Sequence, residues 1–146
     1  MTAGESLAEF APEPEVTELT QPFWAGGLAG ELRLQRCVTC GHLRYPISTI
    51  CPRCLSSESR WEALTGLGTV QTYTVFERAY HESWKDRVPY VVALVELDEG
   101  PVFLTNVVGV PPADVRVGQR VSVVFERRSA VAALPQFTPV EQAGSR

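Results

Sequence analysis

The stretch CVTCGHLRYPISTICPRC, Cys37 to Cys54, contains all four cysteines of a 146-residue chain. It holds two Cys-x-x-Cys knuckles, Cys37/Cys40 and Cys51/Cys54, separated by ten residues. In a knuckle two thiolates reach one ion while the intervening backbone amides point at the sulfurs, and two facing knuckles complete a tetrahedral four-sulfur site. Gly41 supplies the permissive backbone such a turn needs. Soft tetrahedral sulfur sites select zinc or iron, and the reading here is one structural Zn2+. A closed four-thiolate shell leaves no open position for water or substrate, which argues against catalytic zinc. His42 beside the first knuckle reads as a surface residue. An iron electron carrier would use the same ligands, but such carriers are small and self-contained, whereas this cluster covers under a quarter of the chain. A thioredoxin-like pair is excluded because neither knuckle sits in a strand-turn-helix context.

Outward from the cysteines, GELRLQRC alternates Leu32 and Leu34 against Arg33 and Gln35, the period of a strand that runs into Cys37. Upstream, LTQPFWAGGLAG predicts a short helix capped by Thr20 with Pro22 in its first turn. Phe23 and Trp24 then either anchor this segment to a core or face a partner. Residues 1–30 are read as an acidic mobile arm and this helix, 31–65 as a zinc ribbon, 66–139 as a barrel and 140–146 as a frayed tail.

Beyond Gly66 the chain is a series of β-like runs: GTVQTYTVF, YVVALVEL, VFLTNVVG, RVSVVFE and, more weakly, AALPQF. Five short strands without an amphipathic helix between them predict a small closed or half-closed barrel. The residues DEGP (98–101) supply the hairpin between the second and third runs. The fold class expected is therefore mainly β: a short helical segment, a rubredoxin-like ribbon and a five-stranded OB-type barrel.

Composition narrows the function. Net charge is −4, and the five acids among the first twenty residues leave a body of twelve acids and thirteen bases. A nearly neutral body lacks the clustered Lys and Arg that drive nucleic-acid affinity, so an OB-type nucleic-acid module is the weaker alternative. No run of eighteen apolar residues occurs and the amino terminus lacks the features of a secretory signal, so the chain reads as soluble and cytoplasmic, with no membrane partner. In a reducing compartment four clustered cysteines mean metal rather than disulfides.

The runs FWAGGLAGELRLQRCVTCGHLRYPISTICPRC, GLGTVQTYTVFERAYHESWKDRVPYVVALVELDEG, LTNVVGVPPADVRVGQRVSVVFE and LPQFTP, in that order, resemble the zinc-ribbon OB-fold family called domain of unknown function 35, over about Gln21 to Pro139. The resemblance implies a non-catalytic partner of thiolase-superfamily enzymes: thiolases, acyltransferases or the lipid-transfer-protein-like aldolases of steroid side-chain degradation. It also implies a CoA thioester at or near the shared surface and, for this chain, a hot-dog-fold hydratase only as a separate polypeptide. No cysteine remains to act as a thiolase nucleophile and no G-x-S-x-G elbow occurs, so independent catalysis is not expected.

The segment ERAYHESWKDRVP, Glu77 to Pro89, links the first two barrel strands, where OB folds place ligand contacts. It brings Arg78, His81, Lys85 and Arg87 together with Tyr80 and Trp84. With Phe23 and Trp24 these are the candidates for contact with CoA or a partner; the alternative is a solvated loop whose Glu77, Glu82 and Asp86 balance its bases.

Overall fold

A computed structural model describes residues 12–140; the first eleven residues of the acidic arm and the tail from 141 lie outside the described residues. Helix α1 (Gln21–Leu28) is followed by strands β1 (Arg33–Cys37), β2 (Leu43–Arg44) and β3 (Ser59–Ala63), which form one small sheet in the order β2-β1-β3. Strands β4 (Leu67–Phe76), β5 (Tyr90–Leu97), β6 (Val102–Val107), β7 (Arg120–Arg127) and β8 (Ala133–Pro139) close a barrel in the order β4-β5-β6-β8-β7. Mainly β, with a short helix, a cysteine ribbon and a five-stranded barrel, is thus the architecture. No helix among the described residues is long and apolar enough to cross a membrane.

Helix α1 starts at Gln21 with Pro22 in its first turn, where a missing N–H costs nothing. Thr20 stands at the N-cap but does not cap: its hydroxyl receives the backbone N–H of Thr17 at 3.0 Å and its backbone is already helical. The threonine is therefore held by the turn before the helix. In β1 the expected alternation fails at Gln35, which is only 3% exposed because its Oε1 accepts the Ser48 N–H at 3.0 Å. A loop of the ribbon covers the strand face that alternation assigns to water.

The barrel wall is unequal. β5 pairs β6 over six positions and β7 pairs β8 over seven, yet β6 meets β8 through the single parallel pair Val107–Phe137. Elsewhere along this seam side chains join the strands, as where Thr105 Oγ1 donates to the Pro135 carbonyl at 3.1 Å. Phe103 on β6 is the focus: Phe23 of α1 stacks on it at 6.3 Å, Tyr45 of the ribbon lies at 4.5 Å and Phe137 of β8 at 6.1 Å. Helix, ribbon and barrel thereby share one core. Burying a phenylalanine is worth about 1.5–3 kcal/mol, so this junction is a major part of the stability of the molecule.

Gly27 fixes the seat of α1. A Cβ there would lie 2.6 Å from the Ala133 carbonyl oxygen, so only glycine lets the helix backbone approach β8 this closely. At the other end of the barrel Arg120 forms a two-point ion pair with Asp98 at 2.7 and 2.9 Å, tying the β5–β6 hairpin to β7. Within that hairpin Gly100 has φ +117°, and the Leu97 N–H reaches the Pro101 carbonyl at 2.9 Å.

Candidate metal centre and the adjoining barrel face

The two knuckles are built alike. The Gly41 N–H returns to the Cys37 carbonyl at 3.0 Å and the Leu55 N–H to the Cys51 carbonyl at 2.9 Å. The Cys37 N–H meets the His42 carbonyl at 2.8 Å and the Cys51 N–H the Ser56 carbonyl at 2.9 Å. Strand β1 delivers Cys37, and the turn into β2 delivers Cys40. The second knuckle hangs on the loop between β2 and β3.

All four sulfurs lie within 4.8 Å of one another, with Cys37 and Cys54 at 3.5 Å and Cys40 and Cys51 at 3.7 Å. A tetrahedron with Zn–S bonds of 2.3 Å has edges of about 3.8 Å, so the spacing fits a single ion. The acid–base chemistry of the donors points the same way. The Cys40 N–H, against burial and with help from Cys54, draws the Cys37 thiol down to about 6. Burial opposes but does not prevent a lowering of Cys51 by the N–H groups of Cys54 and Arg53. The Ser56 N–H favours a thiolate at Cys54, yet burial and the other three sulfurs push that group up to about 12. A divalent cation among these sulfurs is what would stabilise the thiolate form that metal ligation requires. Zinc is the ion this donor set is expected to take.

Of the candidates for partner or CoA contact, the structure removes one and divides the rest into separate groups. Phe23 is 7% exposed and its ring belongs to the Phe103 junction, so it is core and not a contact surface. Trp24 is half-buried, edge-on to Phe23 at 4.9 Å, and its indole N–H has no partner among the described residues. In the Glu77–Pro89 segment a 3-10 turn spans Glu82–Trp84, with His81 Nδ1 accepting the Ser83 N–H at 3.1 Å. Arg78 lies over Tyr80 at 5.6 Å on an exposed tip where Tyr80 is 74% exposed. Lys85 lies 3.7 Å from the exposed Glu82.

Trp84 and Arg87 are brought together. The Arg87 guanidinium lies 5.2 Å from the Trp84 ring and 2.8 Å from Glu126, and Trp84 packs on Tyr90 at 4.8 Å. They border a cavity of about 300 Å3 also lined by Tyr90, Asn106, Glu126 and Gln136. Arg128 completes the cluster, 3.1 Å from Glu126, and its Nη2 donates to the Pro12 carbonyl at 3.0 Å. Burial opposes ionisation of Glu126, but Arg87 and Arg128 outweigh it and hold the carboxyl below the usual carboxylate range. Sequence patterning did not reach Glu126, Asn106 and Gln136, because they come from three strands and meet only once the barrel closes. Leu55 was within reach: it stands after its knuckle where Gly41 stands after the other.

A ribbon of this donor set fused to an OB barrel defines a class, and comparison with known proteins identifies it. The family model described as the rubredoxin-like zinc ribbon domain of ChsH2 matches residues 24–60, and the one described as the C-terminal OB-fold domain of ChsH2 matches residues 61–126. A DUF35 domain-containing scaffold protein of Methanothermobacter thermautotrophicus is 35% identical over 94 residues, covering 63% of this chain and 69% of the relative. The chain belongs to the DUF35 family. A protein of Thermomonospora curvata named "Probable enoyl-CoA hydratase alpha subunit" is 33% identical over 128 residues; the match spans 88% of this chain and 40% of that relative. Among solved structures, a chain of the "Ltp2-ChsH2(DUF35) aldolase" is similar at TM-score 0.77 and 32% identity, covering 87% of this chain and 98% of the other.

Proposed function

We propose that this chain is a non-catalytic accessory subunit that binds a thiolase-superfamily enzyme, of the thiolase, acyltransferase or steroid side-chain aldolase kind, and contributes to a CoA-thioester site at the shared face. The observation that carries this reading is that ribbon and barrel together, and not one half alone, are similar to nearly the whole DUF35 chain of an aldolase. The chemistry of the molecule agrees: its cysteines converge on one closed sulfur site, and a closed sulfur shell supports structure rather than turnover. A hot-dog-fold hydratase on another polypeptide is a further partner in this reading, and the complex works in the cytoplasm without membrane or nucleic acid.

The contact surface is assigned to Arg78, Tyr80, His81, Trp84, Lys85 and Arg87, with Trp24 at the helix. Trp84 and Tyr90 offer flat apolar faces, and the exposed Arg78 guanidinium offers an anion contact. Co-expressed with a thiolase-superfamily enzyme from the same organism, the chain should copurify as a complex. Trp84→Ala should keep the circular-dichroism spectrum and weaken that complex about thirtyfold, or about 2 kcal/mol. The reading fails if no complex forms, or if homogeneous chain freed of other proteins turns over acyl-CoA substrates by itself.

A further inference from the structure

Arg44 on β2 is 1% exposed, among the most buried side chains of the molecule, and it carries a charge. Its Nη1 donates to the Ser48 carbonyl at 3.1 Å, and its Nη2 to the Ser56 and Glu58 carbonyls at 3.1 and 3.2 Å. Its Nε has no partner among the described residues. Arg33, Arg36, Arg60, Arg87, Arg120 and Arg128 each meet a carboxylate, whereas Arg44 meets none among the described residues. Carbonyl dipoles satisfy hydrogen bonds but do not neutralise a guanidinium, and a buried cation without an opposing charge is strongly disfavoured.

The opposing charge is identified by what else holds those carbonyls. The Ser56 carbonyl also receives the N–H of Cys51, at 2.9 Å, and the Glu58 carbonyl that of Val38, between Cys37 and Cys40, at 3.1 Å. One guanidinium thus bridges the backbone of both knuckles from inside the ribbon. Four thiolates on a divalent ion leave two negative charges, because four singly charged ligands exceed the ion by two. The other nearby cations do not offset them in the interior: Arg36 is paired with Glu62 at 2.6 Å, and Arg53 is exposed.

We propose that Arg44 is the buried counter-cation of the metal–tetrathiolate centre, offsetting its negative charge as well as tying its two knuckles together. The inference rests on the four cysteines holding a metal. It extends that reading to a charge partner that no ligand count reveals. A cation at this place favours the more negative state of the centre, so its removal has a definite sign.

The test uses the full chain loaded with iron in place of zinc, whose ferric and ferrous tetrathiolate states differ by one negative charge, with the reduction potential read by voltammetry. Arg44→Gln should shift the equilibrium at least tenfold toward the ferric state, a fall of about 59 mV for one electron. Ser48→Asp, which puts a carboxylate on the residue whose backbone carbonyl the guanidinium holds and leaves Arg44 in place, should shift it in the same direction. Arg44→Lys keeps the charge but lacks the fork, and should stay within about threefold of the parent chain. Arg53→Gln removes an exposed charge and should change little. If Arg44→Gln fails to take up iron, Ser48→Asp and Arg44→Lys decide alone. The proposal is overturned if the potential is unmoved by Arg44→Gln or, where that variant does not load, by Ser48→Asp. It is overturned equally if Arg44→Lys shifts it by tenfold or more, since Arg44 would then be only a tie between carbonyls.

Discussion

Gly41 and Leu55 occupy the same place in the two knuckles, one residue past the second cysteine, and both are left-handed, with φ +79° and +66°. Glycine takes that conformation freely, whereas a leucine does so at a cost of about 1 kcal/mol. Leu55 is also 74% exposed, so no burial of its side chain offsets the strain.

Leu55→Gly should therefore stabilise the metal-loaded chain by up to about 1 kcal/mol, seen as a rise of a few degrees in the calorimetric midpoint. Gly41→Ala should do the reverse by a similar amount, and purely through the backbone, because a Cβ at Gly41 meets nothing within 4 Å. Equal midpoints for both variants and the parent would contradict the strain argument.

Cys40→Ser should abolish stoichiometric zinc, measured by elemental analysis of protein made with zinc available, and should unfold the ribbon, because metal binding supplies the folding energy of so short a segment. Acidification should release the ion from the parent chain, since protons compete for the thiolates. Protein that contains iron, or no metal, after growth with zinc would refute the assignment.

Gly27→Ala should cost about 2 kcal/mol, since the new methyl group meets the backbone oxygen of Ala133 at 2.6 Å and not a side chain that can move aside. Hydrogen exchange should show α1 loosened from β8 while the knuckles stay protected. A variant as stable as the parent would mean that the helix can shift on its seat.

Glu126→Gln should destabilise the chain at pH 7 by about 2 kcal/mol, as both Arg87 and the mostly buried Arg128 lose a charged acceptor. The native carboxyl lies below its unfolded value, so its contribution is fully present above about pH 5 and declines as the pH falls through the native value. The stability gap between parent and variant, from urea titrations, should hold from pH 7 to about 5 and narrow below about 4. A gap that widens on acidification would reverse the assigned direction.

The parts that sequence reveals here are those with short-range rules. Two Cys-x-x-Cys knuckles define a ligand set, and the alternation in YVVALVEL with the DEGP turn defines a hairpin. Strand β3 escapes because SRWEA is partly exposed along its length and owes its extended form to pairing with β1, 24 residues away at Arg36–Arg60. Gln35 and Arg44 escape for a different reason. Polar side chains are assigned to water by pattern, and only tertiary partners, a Ser48 amide and three loop carbonyls, show these two facing inward. Phe23 and Trp24 were visible as an aromatic pair needing a partner, but that Phe23 is committed to Phe103, eighty residues on, depends on the closed barrel.

The seating of α1 on β8 bears on the order in which the chain can be assembled during synthesis. The helix emerges more than a hundred residues before the Ala133 backbone that Gly27 touches, and the Val107–Phe137 link also waits for β8. Until then Phe23, Tyr45 and Phe103 have no complete shelter on the nascent chain, while the four cysteines are already available to a metal ion. The ribbon can take up its ion and fold well before the barrel closes, and it then serves as the fixed end against which β8 completes the barrel.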